Sequence, residues 1–413
     1  MQVVYERCCG RDVHKKTVVA CVLLTRPDGT VQRQVRTFAT MTADLLALSD
    51  WLRGWGVTHV AMESTGVYWQ PVFNILEEEE GRTLLLVNAQ HIKTVPGRKT
   101  DVRDSEWLAD LLRHGLLRAS FIPPAPIREL RELTRYRQTL VQERTAEVNR
   151  LHKTLEAANL KLASVASDIM GASGRDMLQA LLSGEQDPAA LAELARGTLR
   201  AKLPALRRAL VGRVKPHHRV LIERLLAHID FLEQSIAQVQ EEIDRCLPPF
   251  EDAIVLLDGI TGVGRTAATA MVAEMGVDRE RFPTHKHLTS WAGACPGNKQ
   301  SGGKRLSGKT TKGNRWLRAV LGEVAQAIAR SPGTYLHAQY QRLARRRGKN
   351  KALMAVAHSV LVIAYHMLKD KRPYSDLGAD YFDTRDTTRI QRHHVQRLEQ
   401  LGFTVTLTPK EAA

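Results

Sequence analysis

Long apolar runs, metal-spaced cysteines and acidic side chains are what this chain has little of. The longest apolar stretch, Leu353 to Leu368, is interrupted by His358 and His366 and is too short to cross a bilayer. The first residues carry Glu6, Arg7, Arg11 and a Lys15–Lys16 pair in place of an apolar run, so no secretory leader is expected. Cys8, Cys9, Cys21, Cys246 and Cys295 show no metal-ligand spacing and are odd in number, which fits reduced thiols in a cytoplasm. Acids are outnumbered: 44 Asp and Glu stand against 60 Lys and Arg, giving a net charge of +16. Solubility needs far less charge, so a polyanionic partner is expected, with nucleic acid ahead of an anionic membrane surface. At 413 residues, 43% hydrophobic and 25% charged, the chain has ordinary globular composition and room for two or three domains.

The stretch Lys99 to Leu112 organises the rest. Thr100 reads as a helix N-cap with Asp101 in the first turn, where the helix dipole favours negative charge. Asp101, Asp104, Leu108 and Leu111 follow at steps of three and four, which is one helical face. Its lower part is apolar, so the two acids turn inward with the leucines. Buried carboxylates need a counter-charge, and a divalent cation is the most compact one. An isolated Asp-x-x-Asp is more often an ordinary acidic first turn, so the remaining residues decide.

Residues 1 to about 125 alternate strand-like and helix-like segments. Thr17 to Thr25 reads as a strand, Pro27-Asp28-Gly29 as a turn and Thr30 to Phe38 as a second strand. Thr42 to Trp55 reads as a helix stopped by Gly56, Val57 to Met62 as a buried strand ending at Glu63, Val67 to Glu80 as a helix and Thr83 to Val87 as a strand. Such alternation indicates an α/β sheet covered on both faces, with chemistry collected at one end of its strands. Asp12 lies at the edge of the first strand segment, Glu63 at the end of a central strand, and Asp101 and Asp104 on a helix packed across them. Four carboxylates meeting there would make an oxygen cage for one or two Mg²⁺ ions, able to orient a phosphodiester for in-line attack. Four unrelated surface acids are the alternative, and the joint pattern favours the site.

After Pro123-Pro124-Ala125-Pro126, Ile127, Leu130, Leu133, Leu140, Val141, Val148, Leu151 and Leu155 keep a three–four spacing, a long amphipathic helix and a coiled-coil arm. Ser164 to Gly212 breaks into short helical pieces. His218 to Cys246 resumes the long pattern until Pro248–Pro249, so an antiparallel hairpin, a dimerising arm and a solvated spacer all remain open.

Residues 251 to about 370 form a mostly helical unit. Gly262-Val263-Gly264 opens a helix at Arg265, exposing backbone N–H groups at its positive end, as in a helix-hairpin-helix element that grips a DNA backbone. A plain tight turn is the alternative. A Gly- and Lys-rich loop follows from Ser290 through Ser301, Lys304, Lys309 and Lys312 to Asn314, and suits close approach of phosphates. A serine there either acts as a nucleophile, with Lys and Arg stabilising the developing charge, or only donates a hydrogen bond. Arg345-Arg346-Arg347 reads as a solvated run, and beyond Pro373 the tail is expected to be polar and mobile.

Read together, Asp12-Val13-His14-Lys15, Glu63-Ser64-Thr65-Gly66-Val67-Tyr68-Trp69 and Lys99 to Asp104 form one set of blocks. With Trp291-Ala292-Gly293 through Pro296, Gln300-Ser301-Gly302 and Thr311-Lys312-Gly313-Asn314, they resemble the transposases of the IS-one-ten insertion-sequence family, relatives of the Piv DNA invertases. The resemblance spans roughly residues 8 to 370. It implies α/β plus α architecture: a ribonuclease-H-like (RuvC-like) domain over 1–125, a coiled-coil arm with an insertion over 126–250, a C-terminal transposase domain over 251–370 and a tail over 371–413. The Asp-Glu-Asp-Asp metal set would be Asp12, Glu63, Asp101 and Asp104, binding Mg²⁺, and the nucleophile Ser301. Gly262, Gly264, Lys304, Lys309 and Lys312 are the expected DNA contacts. Implied partners are donor and target DNA, a structured bridge RNA and further copies of the chain, dimer to tetramer, in a bacterial cytoplasm at the nucleoid, with no membrane. A resolvase-type metal nuclease using water, and a non-catalytic nucleic-acid-binding protein, are the other readings. Arg11 stands where an apolar residue is usual, the segment between the long helices exceeds that of the smallest members, and Ser290 and Ser307 flank Ser301.

Overall fold

Strand-forming residues on both sides of tight turns build a five-stranded mixed sheet: β1 (Arg7–Val13), β2 (Thr17–Thr25), β3 (Val31–Ala39), β4 (His59–Glu63) and β5 (Thr83–Val87), in the order β3-β2-β1-β4-β5. β2 runs antiparallel to both β1 and β3, whereas β4 and β5 run parallel to β1. The computed structural model describes residues 2–64, 66–88, 101–278, 281–297, 299–385 and 387–408. It divides into two units, 1–123 and 124–413, each described by itself.

In the first unit, Cys9, Val13, Val60 and Met62 face one side of the sheet, where α1 (Thr42–Gly54) and α2 (Trp69–Glu77) cover them through Leu45, Leu48, Leu52 and Leu76. Cys8, Cys21 and Ala61 face the other side, beneath Leu108, Ala109 and Leu112 of α3 (Asp101–Arg113). The expectation of an α/β sheet covered on both faces holds. β1 is a strand of its own at the sheet's centre, and Asp12 lies within it rather than at the edge of β2. Its Arg-Cys-Cys-Gly-Arg run lacks the β-branched residues that announce a strand, and pairing on both sides supplies what propensity does not. Arg11 is the buried oddity of this strand, fully enclosed on the α1–α2 side, where burial pushes its pKa down to about 10. All five cysteines are free thiols, and burial raises Cys8, Cys9 and Cys21 to about 12.

The second unit begins with α4 (Ala125–Ala157). The short α5 (Ala172–Leu182), α6 (Pro188–Glu193) and α7 (Leu203–Ala209) precede α8 (Pro216–Cys246). α4 and α8 pair antiparallel within the chain. Ile127 and Leu130 share a cluster with Ile243 and Leu247, Arg144 pairs with Glu233 at 2.5 Å, and Leu151 and Leu155 meet Ile222 and Ile229. The short helices close a second core over the far end of this hairpin through Met177, Leu178, Leu191 and Leu206.

Around the near end pack α9 (Glu251–Asp258), α10 (Arg265–Met275), α11 (His285–Trp291), α12 (Arg315–Ala329), α13 (Tyr335–Arg347) and α14 (Lys349–Asp370), which bury one continuous core. Two expectations change here. The apolar stretch extends to a 22-residue helix, α14, long and apolar enough to cross a membrane; its Val356, Ala357, Val360, Leu361 and Ala364 are instead buried in this core. The tail beyond Pro373, expected to be mobile, carries α15 (Tyr381–Arg385) and α16 (Thr387–Gln400). Phe382 stacks on Tyr335, Tyr381 meets it edge-on, and Arg342 lies over Phe382, a docking by rings that leaves no apolar periodicity to read.

Candidate active site

Side chains alternate along a strand, so Cys8, Gly10 and Asp12 point to the α3 side of β1 while Cys9, Arg11 and Val13 point away. On β4, Ala61 and Glu63 share that side, and β1 and β4 run parallel with Gly10 opposite Ala61 and Arg11 opposite Met62. Asp12 and Glu63 therefore end adjacent strands on the same face. α3 crosses them at very short range, because Gly10 has no side chain. A Cβ there would stand 2.2 Å from Ala109 N and 2.4 Å from Ser105 O. Cys8 donates its thiol to Ala109 O at 3.5 Å. Ascending β1 from Cys8 to Asp12 thus descends α3 from Ala109 towards its N-terminal turn, which carries Asp104 and Asp101.

The stripe that α3 buries is centred on Ser105, Leu108, Ala109 and Leu112, with small residues where the approach is closest. Asp104 borders it, half-buried. Arg33 of β3 pairs with Glu106 of α3 at 3.1 Å and fixes the helix from the sheet's edge. Asp12 is largely buried, and His14 Nε2 lies 3.2 Å from its Oδ2. Among the described residues no three His, Cys, Asp or Glu side chains converge closely enough to hold an ion. The Asp101 side chain and the Lys99–Thr100 cap lie outside the described residues, and of the four expected carboxylates Asp12 and Glu63 stand near the ends of neighbouring strands β1 and β4, with Asp104 on the helix that crosses them.

In the second unit the Gly- and Lys-rich loop is a β-hairpin, β6 (Lys299–Ser301) and β7 (Lys304–Ser307), with Ser301 paired to Lys304. Gly302 and Gly303 both take positive φ, +54° and +76°, the combination a two-residue turn between twisted strands requires. Ser301 ends β6 exposed at the hairpin's tip, and Lys304, Lys309 and Lys312 are exposed around it. Ser307 is engaged differently, accepting a hydrogen bond from Lys309 N at 3.1 Å. Ser290 ends up outside the hairpin, in the last turn of α11.

The hairpin's base is clasped by backbone: Gly297 N donates to Lys309 O, and Gly293 lies against Gly313 so closely that a Cβ would sit 2.9 Å from its Cα. Arg318 donates to Thr311 O at 2.6 Å and to Lys312 O at 3.1 Å. Asn314 caps α12, accepting from Trp316 N and Leu317 N, and donates its amide to Glu274 Oε2 at 2.6 Å. Glu274 is buried at the end of α10, and Arg135 of α4 meets both its oxygens, at 2.6 and 2.8 Å. Neighbouring Arg131 donates to the backbone carbonyls of Ala273 and Glu274. The sequence carried no sign of this network, since arginines on an amphipathic helix read as its solvated side.

Of the expected backbone-gripping glycines, Gly262 is used by packing: at φ +81° it has Ile328 Cγ1 2.6 Å from where a Cβ would be. Gly264, the N-cap of α10, has open space around it.

Residues 9–159 match the DEDD-type IS110 transposase model, and residues 255–341 match the model described as Transposase IS116/IS110/IS902 family. The chain belongs to the IS110 transposase family. The family resemblance read from the residues is thereby established. The first match takes in Asp12, Glu63, Asp101 and Asp104, and the second takes in Ser301 and its hairpin. Among curated IS110 relatives, the transposase for insertion sequence element IS1111A of Coxiella burnetii is 26% identical over 294 residues, 70% of this chain and 72% of its own. The IS110 insertion-element 43.6 kDa protein of Streptomyces coelicolor is 27% identical over 297 residues, 67% of this chain and 72% of its own. The pilin gene-inverting protein of Moraxella bovis is 29% identical over 150 residues, 34% of this chain and 45% of its own. Family membership carries enzymatic rearrangement of DNA, and DEDD transposases typically use a divalent metal.

Proposed function

We propose that this chain is a Mg²⁺-dependent, RNA-guided DNA recombinase that cuts and rejoins DNA through a phosphoserine at Ser301. What supports this reading is the parallel pairing of β1 with β4, which carry Asp12 and Glu63, and the close approach of α3, which carries Asp104, to β1 over Gly10. Strand order and direction support a ribonuclease-H-like, RuvC-like domain over residues 1–125. The paired long helices over 126–250 serve as the coiled-coil arm through which copies join as dimers and tetramers, and 251–370 hold the serine, with the tail beyond 371.

The donor set fits magnesium. It is all carboxylate, and Mg²⁺ is commonly held by only one or two carboxylates, with water and substrate phosphates completing its shell. Asp12, Glu63, Asp104 and Asp101 would hold it, and when bound it supplies charge stabilisation and alignment at the scissile phosphate. Ser301 Oγ attacks the phosphorus, loses its proton and releases one deoxyribose hydroxyl. The phosphoserine conserves the phosphodiester linkage until a second hydroxyl displaces the serine and rejoins the strand. Lys304, Lys309 and Lys312 meet the phosphates around the hairpin, and the α10 N-terminus at Gly264 takes a backbone phosphate. Donor and target sequence are read by pairing with a bound bridge RNA, and the enzyme works in the bacterial cytoplasm at the nucleoid.

The test is a denaturing gel of purified protein with its co-purifying RNA and a donor–target pair. Wild type yields a DNA-linked protein band in Mg²⁺ and none in EDTA. Ser301→Ala loses that band while Ser307→Ala keeps it. Cleaved ends without attached protein would assign the attack to water, and a Ser301→Ala adduct would overturn the serine. Sequencing the bound RNA tests guidance, since a guide must contain segments complementary to both DNAs.

A further inference from the structure

α11 opens with His285, and the last turns of α14 present His366 and Asp370 beside it. His366 Nε2 and His285 Nδ1 lie 3.3 Å apart, with their ring planes inclined at 47°. On the far side of the same imidazole, His366 Nδ1 lies 4.0 Å from Asp370 Oδ2. These groups line a cavity of about 570 Å³ that also contains His358, and both His366 and Asp370 are about half exposed, at 50% and 51%.

Two features of this arrangement go beyond a chance meeting of rings. Nitrogens bound about 2.0–2.1 Å from one tetrahedral ion stand roughly 3.3 Å from each other, the separation seen here. A histidine that ligates a metal through one nitrogen characteristically gives its other N–H to a carboxylate, which fixes ring and tautomer, and Asp370 stands on that side. Without an ion, the two imidazoles share one proton in a hydrogen bond, which explains how they tolerate the distance.

We propose that His285 Nδ1 and His366 Nε2 bind a divalent transition-metal ion of the zinc class, with Asp370 orienting His366. Imidazole donors select zinc, nickel or copper over magnesium, so this site is chemically separate from the acidic one. No three metal-binding side chains close here among the described residues, so water fills the remaining positions and the site stays open to the cavity. Its effect would be mechanical. Tyr365 already donates to Phe282 O and Pro283 O, joining α14 to the turn before α11, and α11 leads through Trp291 to Gly293, the base of the serine hairpin. An ion would staple the start of that path to α14.

Equilibrium dialysis of chelator-treated full-length protein against Zn²⁺ tests this, with circular dichroism to confirm that each variant is folded. Wild type is expected to hold one equivalent more than His285→Gln or His366→Gln, whose positions are accessible enough to tolerate the change. Asp370→Asn should weaken that equivalent about tenfold. His217→Gln in the His217–His218 ring pair at the start of α8 should retain it. Zinc should also raise the melting temperature of wild type but not of the His366→Gln variant. Equal zinc uptake by wild type and both histidine variants would overturn the proposal. The measurement needs no DNA, so its failure leaves the recombinase reading standing.

Discussion

Gly10 does more for the acidic site than its size suggests. With Ala109 N and Ser105 O within 2.4 Å of its missing Cβ, any side chain lifts α3 from β1 and carries Asp104 and Asp101 away from Asp12. Gly10→Val should cost about 1–3 kcal/mol, as overpacking does, measurable by urea unfolding. Under the proposed mechanism metal-dependent cleavage should fall further than stability accounts for, because lifting α3 moves Asp104 relative to β1. Glu63 was legible as an acid at a strand end, since charge at the end of an apolar run is visible in one dimension, whereas Asp12 was assigned to the edge of Thr17 to Thr25 and lies within β1. Gly10 was not, because a missing side chain matters only once a helix lies on it.

Among the elements, the junction of α4, α10 and α12 stands out. Glu274 sits between Arg135, on the arm helix, and Asn314, which caps the helix after the serine hairpin. Removing one member of a buried ion pair leaves an unpaired charge, so Glu274→Ala should destabilise by about 3–5 kcal/mol. Thermal unfolding reads that loss, and Arg144→Ala, whose partner Glu233 is more exposed, should lose less. The long helices themselves were plain from their three–four spacing. Their antiparallel pairing was one of several options until Ile127 met Ile243 and Leu151 met Ile222. The tail helices were missed because Tyr381 and Phe382 dock through two rings on Tyr335, a contact without period.

For the molecule as a whole, a net charge of +16 is the most general statement about its partners. Nucleic-acid affinity should fall linearly in log–log against salt, by on the order of a thousandfold between 50 and 200 mM NaCl if about six phosphates are neutralised. Fluorescence anisotropy with a labelled duplex measures the slope, and Lys309→Ala should reduce it by about one phosphate's share. Charge predicts such binding without saying where it occurs. The exposed Lys304, Lys309 and Lys312 concentrate positive charge around the Ser301 hairpin.

By itself the sequence determined the class of partner, the alternation that makes the first unit an α/β sheet, the long helices, and the family blocks around each acid and serine. All of these are carried by local chemistry or by spacing along the chain. Only the tertiary structure decided that β1 is the central strand, that Gly10 draws α3 onto it, that α14 is a core helix, and that Glu274 ties the arm to the serine hairpin. Most of those contacts join residues from 40 to more than 100 positions apart, and they depend on which surfaces meet when apolar faces leave water.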